Sequence, residues 1–325
     1  MISRRQLLQS GLVLTTLNPG SAQPSENLLQ SFSVDQQRVR LYSKSVSQAL
    51  KLLFVSDTHL WRDDARGASF SAYSGRMAKA YNATKHFLTQ ETTNPEKEFQ
   101  AALTLAQKEN VDLLALIGDL VSFPSEAAID WVQQQLKGFP IPYAYTAGNH
   151  DWHYEGMEGS LRSLRATWIE NRLKPLYQGR NPLVDVQTVK GVQVITLDNS
   201  TYEIEEEQLA RVEKALATGK PSVLMMHIPL YAPGRSLGYG CGHPQWGWEA
   251  DKSYSLERRE RWPKTGHSTV TNRFYQTVIG APNLLGIFAG HVHRQGVDAI
   301  RGKPQIVSEA NATGGHLVIE VLPAV

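Results

Sequence analysis

Apolar residues along this chain fall into short runs that stop at glycine or a polar residue. The runs "LKLLFVS" (50–56), "DLLALIG" (112–118), "PYAYTAG" (142–148), "VQVITLD" (192–198), "SVLMMH" (222–227) and "NLLGIFAG" (283–290) predict strands. Helical patterns lie between several of them: 94–110 with Pro95 near its start, 125–136, and 204–219 closing on Gly219. Strands alternating with helices predict an α/β layer architecture. The terminal stretch "IVSEANATGGHLVIEVL" predicts a closing hairpin, and no internal repeat interrupts the pattern.

Two connections exceed the short loops usual in such folds. Residues 61–93 mix arginines with aromatics, and 228–267 are rich in glycine, tryptophan and arginine. Connections of that length usually serve function, so both are expected to be lid-like insertions.

Composition adds limits. With 325 residues, 41% hydrophobic and 20% charged, the chain has the make-up of a folded globular protein rather than a disordered or fibrous one. The first 22 residues differ. "SRRQLL" (Ser3–Leu8) resembles the bacterial twin-arginine export signal, a short apolar run follows, and Gly20-Ser21-Ala22 suits a signal-peptidase cut. The run is too short to span a bilayer. The expected organisation is therefore an export signal over 1–22, read by the twin-arginine machinery, a lead-in strand region over 23–49, and one large domain over 50–325. The expected location is periplasmic or extracellular, in a bacterium. Removing Arg4 and Arg5 with the signal leaves 31 basic and 31 acidic residues, a balance that does not favour a general nucleic-acid or membrane-surface binder. Cys241 is the only cysteine, so no intrachain disulfide can form, and a lone loop thiol is more often incidental than nucleophilic.

Chemistry gathers where the predicted strands end, the place where open α/β sheets bind ligands. Those ends read Asp57-Thr58-His59, Gly118-Asp119, Gly148-Asn149-His150-Asp151, His227 and Gly290-His291-Val292-His293, and they hold five of the ten histidines. Each feature alone has a bland explanation as a helix cap, a turn residue or a core histidine. Their order along successive strand ends does not.

As a set these motifs strongly resemble the calcineurin-like metallophosphoesterases, whose pattern is D-x-H, G-D, G-N-H-[DE], a lone H and G-H-x-H, here spanning roughly 50–293. The resemblance implies an α/β fold of two mixed β-sheets packed as a sandwich with flanking helices, in four α-β-β-α layers, around a two-metal site. It implies that Asp57, His59, Asp119 and His293 hold one metal, that Asp119, Asn149, His227 and His291 hold the other, and that His150 stands beside them as general acid. Asp151 is a weaker candidate for that acid, expected rather to orient its loop, and Arg62 and Arg235 on the insertions are candidates to contact the substrate or to support the ligands.

The residue chemistry agrees with that assignment. Alternate residues of an extended segment point the same way, so Asp57 with His59, and His291 with His293, can each present two groups to one cluster. Gly290 removes a side chain where the backbone must pass close to the centre. Asp119 can bridge two metals about 3.5–4 Å apart. Imidazole with carboxylate and amide oxygen suits Zn, Fe, Mn or Co. With only Asp57 and Asp119 negative, two such ions leave a positive centre that attracts phosphate and lowers the pKa of a bridging water toward about 7, giving a hydroxide nucleophile.

Two departures bear on subfamily. Ser122 stands where purple acid phosphatases have a tyrosine ligand, and "GDLVSF" lacks the D-R-G continuation of protein phosphatases. The leading expectation is an exported phosphoesterase acting on a mono- or diester of a small molecule, nucleotide or lipid headgroup. Alternatives are a dinuclear hydrolase of amides or carboxylic esters, and a non-catalytic binding protein that keeps the metal site.

Overall fold

The computed structural model describes residues 27–75, 82–235, 240–246, 255–256, 260–261 and 263–324. One six-stranded sheet contains β1 (Leu29–Asp35), β2 (Arg38–Ser43), β3 (Leu50–Val55), β4 (Leu113–Ile117), β5 (Tyr143–Thr146) and the last strand, β12 (Leu317–Pro323), in the order β1-β2-β12-β3-β4-β5. The other contains β6 (Val184–Val189), β7 (Val192–Leu197), β8 (Ser222–Met226), β9 (Leu284–Ala289), β10 (Gly296–Ile300) and β11 (Lys303–Val307), in the order β10-β11-β9-β8-β7-β6. Both sheets are mixed: β3, β4 and β5 run parallel, as do β7, β8, β9 and β11, and β12 runs parallel to β2, while the remaining pairs are antiparallel.

Period-two alternation sorts the side chains between layers. Leu52, Phe54, Leu113, Ala115 and Ile117 of one sheet meet Val194, Val223, Met225 and Phe288 of the other in a buried central core. The residues between them, Leu53, Val55, Leu114 and Leu116, face a second core built with α1 (Pro95–Glu109) and α2 (Glu126–Leu136). Beyond them along the chain lies α3 (Leu161–Trp168), whose Leu164 and Trp168 join that core. Ile195, Leu197, Leu224 and Met226 face a third core with α4 (Glu206–Leu216) and α5 (Thr269–Gly280). The strands are apolar on both faces because both faces are covered. This is the four-layer sandwich that the motif order implies.

Helix starts follow local chemistry. Asn94 accepts the Lys97 N–H ahead of Pro95, Ser125 accepts that of Ala128, and Ser268 that of Thr271.

The expected closing hairpin does not form. β11 pairs with β9 and β10, whereas β12 crosses to the other sheet and inserts between β2 and β3. Leu317, Ile319 and Val321 point into the central core while Val318 packs on the helix side, and an interior slot buries both faces as an edge hairpin cannot. The intervening Ala310–Gly315 turn is used at the site described below.

Within the expected insertions, Ala65–Phe70 form a 3-10 turn, Ser71–Ser74 a single helical turn, and Thr84–Lys85 pair with Thr92–Thr93; Ser255–Leu256 pair with Glu260–Arg261. The expected export signal over 1–22 lies outside the described residues. Among the described residues, no helix is long and apolar enough to cross a membrane.

Candidate metal centre

The five motif loops leave the carboxyl ends of β3, β4, β5, β8 and β9. In the loops after β3, β4 and β9 the functional residues leave the extended conformation. Asp57, His59, Asp119, His291 and His293 all have positive φ, between +49° and +68°. This left-handed region costs a non-glycine residue about 1–3 kcal/mol and persists only where surroundings over-determine it. Here they do: Asp57 N–H donates to Gly118 O at 3.0 Å, His59 N–H to Asp119 O at 2.8 Å, and Ala312 N–H to Asp57 O at 3.0 Å. The expectation that D-x-H and H-x-H converge through extended backbone is therefore corrected. They converge because each functional residue is turned inward by a left-handed kink.

The kinks aim the side chains at one another. His59 Nε2 lies 2.9 Å from His293 Nε2, and His293 Nε2 lies 3.1 Å from Asp57 Oδ1. Asp119 Oδ2 lies 3.1 Å from His227 Nε2 and 3.8 Å from His59 Nε2. Three overlapping groups result, Asp57/His59/His293, His59/Asp119/His150 and Asp119/His227/His291, each with its donor atoms within 4.8 Å of one another. Asn149 is buried on the same loop as His150. Asp57, His59, Asp119 and His227 are at most 1% exposed.

Glycines make this crowding possible. A Cβ on Gly290 would fall 1.9 Å from Ser56 Oγ and 2.3 Å from Asp57 Oδ2. On Gly118, which also has a φ of +77°, it would strike the His227 ring at 2.3 Å. The backbone passes close to the ligand side chains as expected for Gly290.

Shut away from water, the groups set one another's protonation. Burial favours neutral carboxyls, but His293 and His227 hold Asp57 below the usual range, and His227 and His150 do the same for Asp119. Burial opposes charge on His227, yet Asp119 and Asp57 outweigh it and lift the ring to about 9. Burial and then His227 push His291 down to about 4.

Asp151 joins two of the motif loops. Fully buried, it accepts Val121 N–H at 2.9 Å and Gly148 N–H at 2.8 Å, tying the loop after β4 to the loop after β5. Ser122, at the position where a tyrosine ligand would mark another branch, donates to His59 O at 2.8 Å. His150 is half-buried at the edge of the cluster, its ring 5.1 Å edge-on from His59 and its N–H donating to Asp119 Oδ1 at 2.8 Å. The two arginines are not brought into the cluster. Arg62 pairs with Glu96 at 2.7 Å and lies over Trp131, and Arg235 pairs with Asp298. Cys241 is buried and its thiol is pushed up by burial, which removes it as a nucleophile.

Three supporting residues escaped the sequence reading. Ser56 Oγ donates to Asp57 Oδ2 at 2.7 Å, Asn199 clamps the Ile228 backbone beside His227 from both sides, and Tyr202 Oη lies 2.6 Å from His291 Nε2. Asn199 and Tyr202 follow Asp198, the one predicted strand end that carries no histidine or motif aspartate of the pattern.

The donor set fits two cations. Imidazole nitrogens face one another and a carboxylate across about 3 Å, Asp57 Oδ1 and His227 Nε2 are buried without a well-formed hydrogen bond, and Asp119 is shared between the halves. Fold and site thus define an α/β sandwich protein with a histidine–aspartate cradle for a metal pair. The family model for calcineurin-like phosphoesterases matches residues 50–295, and the chain belongs to that family. A probable cyclic nucleotide phosphodiesterase of Moraxella catarrhalis (strain BBH18) is 42% identical over 59 residues, 18% of this chain and 21% of that one, so the match spans only about a fifth of that relative. A dimetal phosphatase from Danio rerio shares the fold at a TM-score of 0.50 with 12% identity, covering 81% of this chain and 88% of that one. A purple acid phosphatase from yellow lupin (Lupinus luteus) seeds aligns with a TM-score of 0.46 and 16% identity, over 86% of this chain and 47% of that one.

Proposed function

We propose that the protein is a metal-dependent phosphoesterase that hydrolyses a small-molecule phosphomonoester or phosphodiester. The observation that carries this reading is the chain of three overlapping donor groups, joined through His59 and Asp119. On this reading Asp57, His59, Asp119 and His293 would hold one cation, and Asp119, Asn149, His227 and His291 would hold the second. When bound, a pair of Zn, Fe, Mn or Co ions supplies Lewis acidity toward phosphoryl oxygens and acidifies water to a pKa of about 7. The chain's own work is to fix the donors. Asp119 Oδ1 pins the His150 backbone, Asp151 ties the loops that carry Asp119 and Asn149, and Ser56 steadies Asp57. His150 is assigned the proton delivered to the leaving oxygen, because it sits half-exposed at the rim beside His59 while its backbone N–H is held by Asp119.

The test is a substrate panel assayed with Mn²⁺, Zn²⁺ and Fe. Turnover of phosphate mono- or diesters with inert amides and carboxylic esters supports the reading, and the reverse preference overturns it. We also propose that the chain is exported, on the strength of Ser3–Leu8. A reporter fused to residues 1–30 should leave the cytoplasm, and replacing Arg4 and Arg5 with lysine should keep it inside. Unchanged export after that replacement would refute the twin-arginine route.

A further inference from the structure

Tyr202 has no role in the motif set, yet its hydroxyl lies 2.6 Å from Nε2 of His291. It is 6% exposed and adopts a φ of +64°, a conformation that a bulky residue rarely takes, at the end of a turn closed by its own N–H donating to Asn199 O at 2.8 Å. The ring is backed by a stack. Trp246 lies parallel to it at 6.1 Å and 19°, and His267 stacks on Trp246 at 4.2 Å and 4°. His267 is itself fixed, with Nε2 accepting Gly242 N–H at 3.1 Å and Nδ1 3.3 Å from Glu203. The hydroxyl is therefore held at a defined point by packing from behind.

An imidazole has two nitrogens, and what one touches decides what the other can do. With Nε2 against a hydroxyl, the nitrogen of His291 left for a cation shared with Asp119 and His227 is Nδ1. A cation-binding Nδ1 carries no proton, so the ring proton resides on Nε2 and is donated to Tyr202 Oη. We infer that Tyr202 is a positioning residue: it fixes the tautomer and orientation of His291 and thereby the affinity of one of the two cation positions. This inference rests on the metal-site reading above. It is one-sided, because His293 in the other position faces Asp57 and His59 instead.

The experiment uses the full chain stripped of metal, parent and Tyr202→Phe, titrated with Zn²⁺ by calorimetry, with imidazole tautomers followed by long-range ¹H–¹⁵N correlation spectra. The parent should take up two ions and show His291 protonated on Nε2. Tyr202→Phe should weaken one binding step by about 10–100-fold, the usual effect of losing a partner of a metal-bound histidine, leave the other step unchanged, and lose the fixed tautomer. Parental affinity at both steps with the tautomer intact would show that Tyr202 only fills space. Equal weakening of both steps would show general damage and equally overturn the inference. If Tyr202→Phe fails to fold, Trp246→Phe keeps the hydroxyl but thins its backing and should weaken the same single step; no change there refutes the inference. A parent that binds no ion defeats the metal-site reading itself, a result distinct from all of these.

Discussion

His59 and His293, 234 residues apart in the chain, bring their Nε2 atoms to within 2.9 Å of each other. One proton at most fits between two such nitrogens, and Asp57 Oδ1 stands 3.1 Å from the second of them. Three basic atoms drawn together inside a buried site are stable when a cation shares them. The left-handed backbone at Asp57, His59 and His293 is the conformational cost of that convergence.

Asp119 is shared by both halves of the cluster, so it is the most sensitive position. Asp119→Asn keeps the shape but removes the charge near His227 Nε2 and His59 Nε2. Metal affinity should fall roughly a hundredfold or more at both positions, with turnover lost in parallel. Metal analysis of the purified variant checks this, and two tightly held ions would count against the shared role.

His150 separates acid catalysis from metal binding. His150→Ala should retain both ions and lose about 10²–10⁴-fold in rate on esters with basic leaving groups, and less on p-nitrophenyl phosphate, whose leaving group departs without a proton. Rates across phenyl esters of graded leaving-group pKa measure it. A slope equal to the parent's, or a lost ion, would place the acid elsewhere.

The cluster was legible because each motif directly follows an apolar run whose residues alternate between two cores, as Leu52 and Phe54 alternate with Leu53 and Val55. Strand ends alone therefore mark Asp57, Asp119, Asn149, His227 and His291. The backbone kinks were not legible, since nothing in D-x-H marks a positive φ on aspartate. β12 was misplaced because "HLVIEVL" reads the same whether it pairs locally or crosses to the other sheet; only the vacant slot between β2 and β3 decides. Arg62 and Arg235 read as candidate substrate contacts because the sequence hides their carboxylate partners, Glu96 and Asp298.

Gly290→Ala tests the close approach of the backbone to Asp57. Its Cβ would overlap Ser56 Oγ, so the variant should lose about 1–3 kcal/mol in a urea melt and bind metal more weakly. Gly280→Ala, with nothing within 4 Å, should be neutral or stabilise by up to about 1 kcal/mol. Equal effects would remove the steric argument.

Asp151→Ala leaves the buried N–H groups of Val121 and Gly148 without their acceptor. Each orphan costs about 1–3 kcal/mol, so a lowered melting temperature should accompany weaker metal binding. The surviving metal-loaded fraction should turn over at the parental rate per bound metal pair, because Asp151 is assigned to the loop and not to the reaction. A rate deficit that persists at saturating metal would give it a chemical role.

The central claim is that one chain binds two cations in a single cluster and that phosphate-ester hydrolysis depends on both. The most direct measurement strips the protein with chelator and follows p-nitrophenyl phosphate and bis(p-nitrophenyl) phosphate hydrolysis while Mn²⁺ or Zn²⁺ is added back against known protein concentration. Activity absent in the stripped protein and rising to a plateau at two equivalents per chain is the predicted result. Full activity without metal, or a plateau at one equivalent, would contradict it.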